Sequence, residues 1–488
     1  MDKFFRDIMS LIVARLDGEE VCNREYRKYI EKLVLDGIGG FVIFGGSYED
    51  VKEYLAFLQS LSETPLIIAS DIERGVGQQI KGATLIPSQM AIRAGFDIKN
   101  ERAELESLYS VVSSEALNLG INLTFVPVLD VNTEPDNPII CTRAFSDEPE
   151  VVAEYGSFVI KTLEARGLKT CGKHFPGHGS TRLDSHTALP ILSGDIDEHI
   201  TPFRKAIQTG VSSIMAGHLL VSKLDDKPAS ISESVLNNLL RDKMSFKGVV
   251  FTDAMNMKAL DRYEHAETLA LKAGADVILH PEDPYKSLEN ISFACKKGLI
   301  SHERIKQALE RVSLLRKNLI CLDRKSDRFF VTDFNEISTL EVFKKTFTMV
   351  KNELGDIRRH RVTPYLAGFY DSSVKDLFFN NFGGVYDLLQ FKDSEQIPLI
   401  AIFTNIRGGG KEFDIGEQER SLIKKMVSTK DAIVVSFGNP YVVRFFKEAK
   451  TIILTYDFHQ IAVSAFLELF NEGLKVKGSL PVKIPWND

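Results

Sequence analysis

The chain contains no uninterrupted apolar stretch of the roughly 18 residues needed for a membrane-spanning helix. It has no long block of basic residues, although 60 Lys and Arg are scattered through it, and its formal net charge is -7. That balance argues against nucleic acid and anionic membranes as partners. Cysteine is scarce, with five residues (Cys22, Cys141, Cys171, Cys295 and Cys321) that are widely spaced and form no CxxC pair. Neither a disulfide framework nor a zinc site is expected from them. Short tandem repeats and low-complexity tracts are also missing. The opening MDKFFRDIMSLIVARLDGEE mimics a signal peptide, but Asp2, Asp7 and Arg15 interrupt it and no small-residue cleavage site follows. A cytoplasmic protein is expected.

What is present is the composition of a soluble globular protein, 44% hydrophobic and 26% charged over 488 residues, enough for two or three domains. Up to about residue 320, short apolar runs alternate with longer amphipathic segments. The runs predict strands at Leu11–Leu16, Gly40–Phe44, Leu66–Ser70, Leu123–Leu129, Leu168–Lys173, Ser213–Ala216, Val249–Thr252 and Asp276–Leu279. Helical patterns fall between them at Ser47–Leu61, Glu101–Asn118, Glu150–Arg166 and Thr201–Thr209, the last opening with a Thr201-Pro202 start signal. Eight such units fit a (β/α)8 barrel over residues 1–322, although a doubly wound open sheet has the same local pattern. After a closing helix at Ser301–Lys317, residues 323–340 read as a linker and 341–488 as a smaller α/β domain. Its apolar runs Tyr365–Tyr370, Leu399–Thr404, Ala432–Phe437 and Ile452–Tyr456 predict a parallel sheet of at least four strands.

In a barrel, functional groups sit where strands end. Five candidate strands run into polar residues at that end: Asp71, Asp130, Lys173-His174, His218 and Asp253. Strand ends meet polar loops in any fold, yet a rim mixing carboxylates with basic groups suits a polyhydroxylated ligand, whose buried hydroxyls each need a partner. The segment KHFPGHGSTRLDSH (Lys173–His186) must be a loop, given Pro176, Gly177 and Gly179. His174 and His178 have an i, i+4 ligand spacing, but Pro and Gly between them disfavour the helix this requires, and HExxH is absent. Asp184 and His186, two apart on an extended loop, point to the same side. The pair reads either as a loop-ordering hydrogen bond or as a carboxylate-tuned imidazole for acid/base work near neutral pH. Ser185 would point away, which makes a Ser-His-Asp triad a poor reading. Asp253 ends an almost wholly apolar strand, and the helix-like stretch after it leaves two readings open, a helix cap or a rigidly held nucleophile.

Together these segments resemble glycoside hydrolase family 3, in its β-N-acetylglucosaminidase branch. The resemblance rests on GGFVIFGG (39–46), DIERGVGQ (71–78), NLTFVPVLDVNTEPDNPII (122–140), TRAF (142–145), KHFPGHGSTRLDSH and FTDAMNMKAL (251–260). SFGNPY (436–441) and GSLPVKI (478–484) resemble the family's α/β sandwich domain more weakly. The resemblance implies a retaining hydrolase with Asp253 as nucleophile, His186 as acid/base and Asp184 as its partner. It further implies that Asp71, Arg143, Lys173 and His174 bind the sugar. The expected substrate is a terminal β-linked N-acetylglucosamine on cell-wall or chito-oligosaccharide fragments, with no metal and no organic cofactor. Gln79 departs from the branch, which commonly carries an arginine there. Three alternatives stand beside this reading: a phosphorylase using the same residues, a β-glucosidase, and a non-catalytic sugar-binding protein. RGGGKE (407–412) lacks the spacing of a phosphate loop and reads as a flexible loop.

Overall fold

The computed structural model describes residues 2–183, 185, 189–322, 339–388, 396–406 and 414–486. They fall into two units. The first comprises residues 1–85, 106–131 and 149–334, and the second 86–105, 132–148 and 335–488. The division is therefore not contiguous along the chain. Residues 86–105 and 132–148, inside the stretch read as the first domain, group with the second. The cause is burial: Met90, Ala91, Ala94 and Cys141 all belong to an apolar core of the second unit's sheet. Nearly all of the expected linker lies outside the described residues.

The first unit is built on eight strands, β1 (Ile12–Asp17), β2 (Gly40–Phe44), β3 (Ile67–Ser70), β4 (Leu123–Thr124), β5 (Lys169–Phe175), β6 (Ser213–Ala216), β7 (Val249–Thr252) and β8 (Ile278–Leu279). All the neighbouring pairs are parallel, in the order β7-β6-β5-β4-β3-β2-β1-β8. The ring closes where Phe251 bridges Val277, with the Thr252 N–H donating to the Val277 carbonyl at 3.0 Å. This is the (β/α)8 barrel rather than the open sheet. Its strands read as near-continuous apolar runs because helices cover them outside and side chains fill them inside. Phe125 and Phe251, for example, meet edge to face at 5.7 Å.

Side-chain caps open several of the covering helices. Ser47 accepts from the Asp50 N–H to open Tyr48–Leu61, and Ser301 from the Arg304 N–H to open His302–Lys317. Two expectations need correction. Thr201-Pro202 does not start a helix; the helix is Ile196–Thr209, capped by Asp195 with Asp197 and Glu198 in its first turn, so Pro202 is internal. The acidic first turn and true cap outweigh the hydrogen bond that proline forfeits. The predicted strand Leu123–Leu129 shortens to β4, beyond which Val128 makes only an isolated bridge to Lys173.

The second unit has a six-stranded sheet in the order β11-β10-β12-β13-β14-β9. These strands are β9 (Thr348–Asn352), β10 (Val362–Gly368), β11 (Tyr386–Asp387), β12 (Ile397–Phe403), β13 (Ile433–Phe437) and β14 (Thr451–Leu454). The expectation of a parallel sheet holds for five strands, but the edge strand β9 runs antiparallel to β14. Side chains alternate between two cores. Ile400, Ile402 and Val434 enter one face, while Leu399, Ala401, Phe403, Ile433, Val435 and Phe437 enter the other. Helices cover both faces, making an α/β sandwich. Among the described residues no helix is long and apolar enough to cross a membrane.

Candidate active site

The first unit's polar residues gather at the carboxyl ends of its strands, as barrel geometry requires. β5 runs through Phe175, so Lys173 and His174 lie within the last three residues of the strand rather than after it. Lys173 is 2% exposed, and its ammonium contacts two carboxylates, Asp71 Oδ1 at 2.5 Å and Glu73 Oε1 at 2.6 Å. Burying that cation is tolerable only because both acids share it. Glu73, itself 5% exposed, was missed by the sequence reading. The signal was its place two residues after Asp71, as a second acid in the same strand-end loop.

His174 is oriented by Asp130, which is fully buried. The His174 Nδ1 lies 2.7 Å from Asp130 Oδ2, and Asp130 Oδ1 accepts from the His178 N–H at 2.6 Å. Burial pushes the Asp130 carboxyl up, but the charge and hydrogen bonds of His174 and His178 outweigh this and hold it below the usual carboxylate range. With Asp130 ionised, Nδ1 of His174 is the donor, which turns Nε2 away from the anchor. The ring of His178 stands 6.1 Å from that of His174, its Nδ1 2.7 Å from the Thr181 hydroxyl. Burial pulls its imidazole down to about 4, leaving a neutral ring at neutral pH. Gly177 supplies the turn between the two histidines at φ +131°, and a Cβ there would stand 2.7 Å from the Cβ of His199.

Asp253 follows β7, and its N–H donates to the Ala216 carbonyl at 2.9 Å. The stretch after it is not helical: the next helix long enough to need a cap begins at Ala266. The helix-cap reading therefore fails, and Asp253 Oδ1 instead accepts from the adjacent Ala254 N–H at 2.8 Å. The Cys171 thiol on β5, pushed up to about 12 chiefly by burial, senses the charges of Lys173, Asp71 and Asp253 together. Asp71 follows β3, Lys173 lies near the end of β5 and Asp253 follows β7, so all three groups stand at the carboxyl end of the parallel barrel. His218, after β6, is wholly buried between Ser230 and Ala254. His280, directly after β8, joins the rim with its ring 6.2 Å from Phe44. Burial, aided by Arg15 and opposed by Asp71, brings its imidazole down to about 4. The strand-end rule that picked five other positions applies equally to it.

Asp184 and His186 lie outside the described residues. Arg143 belongs to the second unit, in the turn Cys141–Arg143, where its guanidinium donates to the Ile139 carbonyl at 2.8 Å. Gln79, the departure noted from sequence, turns its amide to the Asp71 carbonyl at 3.1 Å. RGGGKE also lies outside the described residues.

A barrel rim lined by acids, an anchored histidine and a shared lysine suits a hydroxyl-rich ligand. The chain belongs to glycosyl hydrolase family 3, since residues 9–315 match the family model described as its N-terminal domain. A β-hexosaminidase of Nitrosomonas eutropha is 34% identical over 263 residues, covering 51% of this chain and 74% of that protein. A protein of Cellulomonas fimi named β-N-acetylglucosaminidase/β-glucosidase is 25% identical over 501 residues, covering 91% of this chain and 88% of that one. Among solved structures, a family 3 β-N-acetylglucosaminidase from Paenibacillus superposes with a TM-score of 0.83 at 26% identity, covering all of both chains.

Proposed function

We propose that the protein is a retaining exo-β-N-acetylglucosaminidase that releases terminal N-acetylglucosamine from cell-wall or chito-oligosaccharide fragments. The observation that carries this reading is the placing of Asp253 and the Asp71–Lys173–Glu73 network at the carboxyl ends of parallel strands in one barrel, in a family 3 chain. The relatives named β-hexosaminidase supply the sugar.

In this mechanism Asp71, Lys173 and His174 grip the sugar hydroxyls. Asp253 attacks the anomeric carbon and its carboxylate oxygen bonds to that carbon. The bond to the leaving oxygen breaks as His186, assigned as acid/base by the family resemblance with Asp184 as its partner, supplies that oxygen's proton. The same imidazole then takes a proton from water, which displaces the Asp253 carboxylate and frees the sugar.

The experiment is hydrolysis of aryl β-N-acetylglucosaminide and aryl β-glucoside, each with and without inorganic phosphate. The reading predicts free N-acetylglucosamine as product, with the N-acetyl substrate preferred. A glucoside preference would favour the second activity in the Cellulomonas relative's name. A sugar 1-phosphate as sole product would replace hydrolysis by phosphorolysis.

A further inference from the structure

Beyond a local bond from the Met257 N–H to the Ala254 carbonyl at 3.2 Å, three tethers hold the backbone around Asp253. Its own N–H bonds to Ala216 on β6 at 2.9 Å, and the Met255 N–H bonds to Leu279 on β8 at 3.0 Å. The third comes from a side chain. His218 Nε2 lies 3.0 Å from the Ala254 carbonyl oxygen, and Nδ1 lies 2.6 Å from Ser230 Oγ. A carbonyl only accepts, so Nε2 carries the hydrogen and the Ser230 hydroxyl fixes the ring from the other side. His218 and Ser230 are both fully buried. On the opposite flank of the same alanine, the Ala254 N–H donates to Asp253 Oδ1 at 2.8 Å.

The bonds therefore run in series from Ser230 through His218 and Ala254 to the carboxylate. Apart from the Met257–Ala254 bond no helical ladder follows Asp253 to stiffen this turn; the next element along the chain is the short turn Lys258–Leu260. Holding the Ala254 carbonyl restricts the rotation of that residue, and with it the direction of the N–H that grips Oδ1. We propose that His218, seated by Ser230, is a positioning residue that sets the orientation of the Asp253 carboxylate for attack on the sugar. The proposal rests on Asp253 as the nucleophile. Its chemistry is that of an anchored donor, with no proton passed to the substrate.

The test compares wild type, His218→Leu, His218→Gln and Ser230→Ala in the full chain, with Asp253→Asn alongside. Aryl N-acetylglucosaminide kinetics and the rate of covalent trapping by a fluorosugar are the readouts. Misplacing a reacting group by a fraction of an ångström to 1 Å costs on the order of 10- to 100-fold in rate. His218→Leu is expected to lose about that factor in kcat and in trapping rate, with KM little changed. His218→Gln, whose amide N–H replaces the donor to Ala254, recovers most of the loss. Should His218→Leu not fold, Ser230→Ala carries the test and shows a smaller drop in the same two rates. Full trapping rates in the folded variants, or a fall in thermal stability alone, overturns the positioning role. Activity surviving in Asp253→Asn overturns the nucleophile assignment instead, whichever way the His218 variants behave.

Discussion

Asp276 offers the sharpest test of how the barrel is held together. Its carboxylate, two residues before β8 and completely buried, accepts from Arg241 at 2.5 Å, Arg304 at 2.6 Å and Arg311 at 3.0 Å. It also accepts from the Val250 N–H at 3.0 Å, which ties the start of β8 to β7 where the barrel closes. Asp276→Asn preserves the shape but removes the charge that compensates three guanidiniums, and turns an NH2 toward one of them. Breaking a buried ion pair by removing one partner costs about 3–5 kcal/mol. That is a large share of a domain stability of roughly 5–15 kcal/mol. A urea midpoint for the barrel transition lower by about 1 M or more is expected. The control is Glu63→Gln, which removes the exposed Arg6–Glu63 pair of 3.1 Å and changes stability by no more than about 1 kcal/mol. If Asp276→Asn loses no more than Glu63→Gln, the cluster does not brace the barrel and the reasoning fails.

Two further outcomes follow from the rim. The folded ring of His178 resists protonation down to about 4, whereas an unfolded chain binds that proton near 6.5. Stability from this group is therefore complete above pH 6.5 and declines by about 3 kcal/mol as pH falls toward 4. Urea midpoints measured across that window should show a shallower slope in His178→Asn than in wild type; equal slopes would refute the assignment. Gly177→Ala should lower both stability and kcat, because its Cβ meets His199 at 2.7 Å and the backbone sits at φ +131°. The strain is of order 1–3 kcal/mol, and a wild-type kcat and melting temperature would contradict it.

Much of the barrel was legible because its strands are buried on both sides and therefore read as apolar runs ending in polar residues. Gly40–Phe44, Ser213–Ala216 and Val249–Thr252 match the expected bounds. The failures have physical sources. Pro202 looked like a helix start because proline is favoured at a first turn, but the aspartate cap six residues upstream of Thr201 governs the helix. β9 was invisible because Thr-Met-Val-Lys-Asn at a sheet edge carries little apolar signal. Within the site, the strand-end rule found Asp71, Asp130, Lys173, His174, His218 and Asp253. It did not reveal that Glu73 shares the lysine, because that ion pair depends on a contact about 100 residues away in sequence. Nor did the residues show that segments 86–105 and 132–148 join the second unit, since grouping of this kind depends on which core their apolar side chains enter.

The central claim is that Asp253 forms a covalent bond with the sugar. Incubating the protein with a fluorinated N-acetylglucosaminyl donor, then mapping the modified peptide by mass spectrometry, addresses it directly. The account predicts a single glycosyl adduct on Asp253, absent from Asp253→Asn, which is folded but inactive. An adduct on another residue, or turnover by Asp253→Asn near the wild-type rate, would contradict it.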